Sequence, residues 1–132
     1  MTWVLWDNTL ETGQARMDED HRELARLFDL LYAAVEQRRE REFCSSVVEQ
    51  IIEHARTHFE LEQQFMAERH YPKTEQHTAE HDMLLAQALE CRAAFDAGDR
   101  PQIALAEFPD VWLTFHILFS DKDLARFLAQ AG

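Results

Sequence analysis

The sequence predicts an all-α fold, an antiparallel up-down-up-down four-helix bundle preceded by a non-helical N-terminal arm. Three observations carry that prediction. Apolar residues recur at three- and four-residue spacing in four separate stretches, no stretch alternates apolar and polar residues as a strand would, and the 132 residues include only 3 Gly and 3 Pro. A chain of this length suits one domain that buries roughly two-thirds of its unfolded surface, so residues 1–132 are read as a single unit.

Residues 1–18 lack helical periodicity and form the expected arm, with Trp3 and Trp6 packed over the bundle. The first helix, about 19 to 38, carries Leu24, Leu27, Phe28, Leu31 and Val35 on one face, and Asp20 with Glu23 offers a capping box. In the second, about 41 to 69, Val47, Ile51, Ala55, His58, Glu62 and Phe65 form the stripe. The Tyr71-Pro72 pair ends it, because proline has no amide hydrogen to continue the ladder. The third, about 74 to 97, turns His77, His81, Leu84, Leu85, Ala88 and Phe95 inward and stops at Gly98, Asp99 and Pro101. Val111, Trp112, Phe115, His116, Phe119, Leu124 and Phe127 define the fourth, about 110 to 129.

Charge narrows the partners. With 13 Lys+Arg against 25 Asp+Glu the net charge is −12, a field that repels nucleic-acid phosphates and anionic lipid head groups. Nucleic acid is therefore not an expected partner. No run approaches the ~18 uncharged apolar residues that span a bilayer, so no membrane insertion is expected. The apolar patch at Trp3, Val4, Leu5 and Trp6 is too short for a signal-peptide core and has no basic flank. Cys44 and Cys91 lack CxxC spacing and read as small buried hydrophobes in a reducing compartment. A cytoplasmic monomer is the expectation.

The chemistry lies in what interrupts the apolar stripes. Histidine or carboxylate occupies inward positions on all four helices: His21, then His58 and Glu62, then His77 and His81, then His116 and Asp121. A buried ionisable group without a partner costs several kcal/mol, so such a cluster must satisfy itself or hold metal. His58 and Glu62 are four residues apart, as are His77 and His81, so each pair projects from one helix face about 6 Å apart along the axis. One cation can bridge that gap. A single HxxxH pair is weak evidence; an HxxxE and an HxxxH on neighbouring helices, with histidines on the other two, are much stronger.

Position 121 is the awkward member. It lies about 140° around an ideal α-helix from His116, whereas Asp123 is nearly in line with His116 but about 10.5 Å along the axis. That rise is too long for a shared metal pair, so Asp121 is chosen and Asp123 reads as a solvated charge. His54 reads as a packing histidine or one that supports a ligand from outside, and His70 as an exposed histidine at a helix end.

The segments DEDHREL, HFELEQQFM, HTAEH and WLTFHILFSD, together with the Tyr71-Pro72 turn, resemble the hemerythrins over nearly the whole chain, in particular their single-domain bacterial members. The family, too, has a carboxylate five residues after its last histidine. It often has an aromatic residue at the place of His54, where this sequence departs from it. The resemblance implies a cofactor of two Fe ions, a non-haem di-iron centre with a bridging oxo or hydroxo group, and reversible binding of O2. Its implied metal ligands are His21, His58, Glu62, His77, His81, His116 and Asp121. By the same resemblance His77, His81 and His116 belong to one iron, His21 and His58 to the other, and Glu62 and Asp121 bridge them. Five imidazole nitrogens, two bridging carboxylates and one bridging oxygen then fill a six-coordinate and a five-coordinate iron, which leaves one position for O2.

Ferritin-like di-iron sites use four carboxylates and two histidines, and a shell with less anionic charge stabilises the ferric pair less. The expected function is thus an O2 carrier or store supplying an oxygen-consuming enzyme, and not an enzyme itself. A sensor acting through a separate partner is an alternative. So is a di-iron enzyme or iron-handling protein working on peroxide or nitric oxide. Trp112 and Leu113 fall within one turn of His116 and are expected to line a dry O2 pocket, with the leucine overhanging it as in the related proteins. Leu113→Ala should accordingly keep its metals and autoxidise faster. Leu84→Ala, with a similar loss of ~2–5 kcal/mol of stability, should accelerate autoxidation less. Equal autoxidation rates in the two variants would reduce Leu113 to a packing residue.

Overall fold

The computed structural model describes residues 8–97, 114 and 116–131. A 3-10 turn at Asn8–Leu10 leads into α1 (Ala15–Glu36), α2 (Arg41–Arg69) and α3 (Thr74–Asp96). A π-helical turn at Ile117–Asp121 then runs directly into α4 (Lys122–Ala131). The result is a four-helix bundle with no strand among the described residues. Consecutive helices pair in opposite directions. Asp20 and His21 near the start of α1 meet His58 late in α2, and Ser45 early in α2 bonds Asp96 at the end of α3. Glu80 of α3 meets His116, and Lys73 just before α3 meets Asp123 of α4.

Helix α1 begins at Ala15, earlier than the expected 19, because its cap lies upstream of Asp20. Gln14 accepts a hydrogen bond from the Met17 amide, and the buried Asp18 carboxylate accepts from the Thr12 amide, the Thr12 hydroxyl and the Gly13 amide. The Gln14 bond satisfies an amide that the first helical turn would otherwise leave unpaired, and the Asp18 bonds tie Thr12 and Gly13, which precede the helix, to that turn. Gly13, at φ 89°, supplies the left-handed bend that folds Thr12 back over Asp18. Asp20 is thereby left inside the helix, free for another task.

At the other end, Arg38 adopts φ 57°, and the Arg38 and Arg39 amides reach back to Val35 and Ala34 in a Schellman arrangement. Helix α2 ends at an exposed His70 with φ 54°, as a helix-end histidine should, and the Tyr71 amide bonds the Met66 carbonyl before Pro72. The start of the predicted fourth helix, together with Trp3, Trp6, Trp112 and Leu113, lies outside the described residues.

Two apolar clusters sandwich the polar layer. The larger joins Leu24, Phe28 and Leu31 of α1 to Val47, Ile51 and Phe59 of α2, Leu84 and Phe95 of α3, and Ile117; Leu10 of the arm packs into it. The smaller brings Met17, Met66, Tyr71, Leu124 and Ala125 together at the other side. Cys44 is buried and Cys91 half-buried, and neither forms a disulfide. Asp18→Ala removes three hydrogen bonds from the α1 cap and should lower stability by about 2–3 kcal/mol in a urea titration. Asp18→Asn, which keeps one acceptor oxygen, should lose less; a loss below about 0.5 kcal/mol for the alanine variant would show the cap to be incidental.

Candidate metal centre

All seven polar side chains singled out from the sequence meet in one buried layer. Glu62 and His81 are 0% exposed, His21, His58 and Asp121 1%, His77 2% and His116 7%. The two carboxylates divide their oxygens between two groups of histidines. On one side, His77 Nε2 is 2.8 Å and His81 Nε2 3.0 Å from Glu62 Oε1, while His77 and His116 Nε2 are each 3.1 Å from Asp121 Oδ1. On the other, His58 Nε2 is 2.6 Å from Glu62 Oε2 and His21 Nε2 is 2.9 Å from Asp121 Oδ2. His21 and His58 face each other with their Nε2 atoms 3.1 Å apart.

Only part of this closeness is conventional hydrogen bonding, as between Glu62 Oε1 and the Nε2 atoms of His77 and His81. Glu62 Oε2, both oxygens of Asp121 and Nε2 of His116 are buried without a hydrogen-bond partner although neighbouring polar atoms lie about a bond length away. These atoms belong to groups of side chains whose ligand atoms all lie within 4.8 Å of one another. Buried orphans of this kind are rare and expensive. Imidazole nitrogen with carboxylate oxygen is also a donor set that suits first-row transition metals. Two overlapping groups could hold a cation: Glu62, His77, His81, His116 and Asp121, and His21, His58, Glu62 and Asp121.

The π-helical turn explains position 121. The Lys122 amide bonds the carbonyl of Ile117, five residues back, so the turn is wider than an α-helical one. Asp121 therefore comes round toward His116, where an ideal α-helix would carry it about 140° away. Sequence periodicity alone has no signal for this. Asp123 sits on the surface in an ion pair with Lys73.

Two functional carboxylates escaped the sequence reading. Asp20, read there as part of a cap, accepts from His58 Nδ1 at 2.8 Å. Glu80 accepts from His116 Nδ1 at 3.0 Å and from the Ser120 hydroxyl at 2.6 Å. A bond to Nδ1 fixes the ring so that the Nε2 lone pair points inward, the usual arrangement around metal-binding histidine. The missed signal was an acid immediately before a candidate histidine, in DEDH and again in AEH. His81, whose Nδ1 has no hydrogen-bond partner, is oriented by stacking on Phe59 at 3.9 Å between ring centres. His54 stands outside the layer, with Nε2 3.2 Å from the Asp20 carbonyl, and so supports the ring of residues that supports His58.

The hemerythrin HHE cation binding domain model matches residues 12–128. The chain belongs to the hemerythrin family. It is 30% identical to the bacteriohemerythrin of Ralstonia nicotianae over the whole of this chain and 93% of that protein. It is 26% identical to those of Pseudomonas paraeruginosa, over 92% of this chain and 78% of the relative, and Stenotrophomonas maltophilia, over 95% and 81%. In this hemerythrin domain no described helix is long and apolar enough to cross a membrane.

Electrostatics show what the layer demands. Burial opposes charge on His58, but the nearby Glu62 carboxylate and the hydrogen bond to Asp20 outweigh it and raise its pKa to about 10. His116 is likewise raised to about 10 against burial, by Asp121 and Glu80, and His77 to about 9 by Asp121 and Glu62. Glu62, for which burial alone would act upward, is held well below the carboxylate range by His58, His21 and His77. Without a cation the layer recruits protons in its place. The raised folded-state values of His58, His77 and His116 mean that their contribution to stability is complete below about pH 6.5, shrinks as pH rises and is gone above about 10, while His81, which burial pushes down, contributes in the opposite sense. The metal-free protein should therefore lose stability between pH 7 and 10 in thermal melts. Cation loading should release protons, seen as buffer-dependent heats of binding, and should weaken as pH falls. Loading without proton release would contradict this account.

Proposed function

We propose that this hemerythrin binds dioxygen reversibly at a non-haem di-iron centre and acts as an O2 carrier or store, a cytoplasmic monomer supplying an oxygen-consuming enzyme. The observation that carries the reading is the division of the carboxylate oxygens. Glu62 Oε1 and Asp121 Oδ1 face His77, His81 and His116, while Glu62 Oε2 and Asp121 Oδ2 face His58 and His21. Three and two imidazoles around two shared carboxylates suit two unequal metal positions, the second with one protein ligand fewer. Iron held by these residues would supply reversible electron donation to O2.

The chain's own part is threefold. Glu62 and Asp121 would bridge, five neutral imidazoles would hold the pair without the anionic charge that favours irreversible oxidation, and the apolar clusters on both sides limit the approach of water. Side chains on four separate elements leave little freedom to reorganise, which favours binding and release over rearrangement of the site.

Protein purified without added metal should contain two irons per chain and show an optical oxygenation cycle with full recovery of the deoxy spectrum. Turnover of peroxide or nitric oxide in place of that recovery would favour an enzyme. His77→Ala should hold fewer than two irons and show no oxygenated spectrum. Asp121→Ala should abolish the pair and Asp123→Ala should retain it; the reverse ranking would overturn the bridging role of Asp121.

A further inference from the structure

One oxygen of Glu80 does two things at once. Oε1 accepts from His116 Nδ1 and from Ser120 Oγ, and these two residues stand immediately before and near the end of the π-helical turn. We propose that Glu80 is a positioning residue that pins His116 and Ser120 together so that the turn keeps the register in which Asp121 faces the cluster. The π form is uncommon, and an unusual backbone register persists only where its surroundings hold it. In an α-helical register Asp121 would swing far from His116, whereas here its Oδ1 is 3.1 Å from His116 Nε2. The clamp reaches from α3, so it also ties the turn to the helix that carries His77 and His81.

Glu80 is reachable from outside. Its side chain is 33% exposed and lines a cavity of about 60 Å³ together with Tyr71, Gln76, His77 and Ser120. That space is enough for water or a small anion beside the carboxyl group. Glu80→Ala would extend the cavity toward His116 by the volume of the lost carboxylate. A formate ion could then stand in for it.

The proposal rests on reading His116 and Asp121 as ligands, so the test has one arm that does not need metal. In the full chain without iron, hydrogen exchange of the Lys122 amide reports the bond that closes the turn. Glu80→Leu should exchange there about 10-fold faster or more. Glu80→Gln, whose amide oxygen can accept both bonds, should stay near wild type, and Ser120→Ala should fall between. In the second arm ferrous iron is added. Glu80→Leu should retain one of the two irons about 10–100-fold less tightly. Formate should restore part of that affinity in Glu80→Ala, and Asp123→Ala, altered beside the same cavity, should behave as wild type.

Unchanged Lys122 exchange in Glu80→Leu would overturn the proposal, as would a Glu80→Gln defect as large as that of Glu80→Leu. Should Glu80→Leu not fold, faster Lys122 exchange in Ser120→Ala supports the clamp and unchanged exchange overturns it. If wild-type protein takes up no iron while the exchange pattern holds, the clamp stands and the functional reading falls.

Discussion

Two carboxylates shut away from solvent, Glu62 and Asp121, are the constraint around which the molecule is arranged. A buried leucine or phenylalanine contributes roughly 1.5–3 kcal/mol, so a few extra apolar contacts cannot offset even one unpaired buried charge. Compensation has to come from groups that accept or share charge at about 3 Å, and five imidazoles from α1, α2, α3 and the segment before α4 supply it. Each element therefore owes its place partly to the polar layer. Withdrawing one would leave carboxylate oxygens facing nothing. The apolar clusters on either side in turn limit how far water can relax that demand, so the core and the site form a single energetic unit.

A second ring of residues decides how the imidazoles point. Asp20 precedes His21 yet holds His58, and Glu80 precedes His81 yet holds His116. The geometry explains the crossing: neighbouring helical residues are about 100° apart, so an acid beside an inward histidine looks toward the adjacent helix. Each such carboxylate accepts a hydrogen bond from Nδ1 of its partner and leaves Nε2 for the interior. Phe59 performs a related role for His81 by stacking, which orients the ring without charge. The two outer carboxylates differ in reach, because Glu80 also binds Ser120 and so couples a ring orientation to a backbone register.

Most of the inner layer was legible in the sequence because its residues keep helical arithmetic. His58 with Glu62 and His77 with His81 recur at four, His21 falls on the apolar face of α1, and the boundaries of α2 follow from the periodicity and the Tyr71-Pro72 stop. The outer layer was not legible, since nothing local distinguishes an acid that caps a helix from one that crosses to the next. Asp20 illustrates this: its spacing to Glu23 fits a capping box, but Gln14 is the cap and Asp18 ties the residues before the helix to its first turn. The chain by itself determined which residues are polar on apolar faces, and thereby the composition of the cluster. Tertiary structure decided which carboxylate oxygen meets which imidazole, and it decided the π register that brings Asp121 to His116, because both depend on distances between elements far apart in the chain.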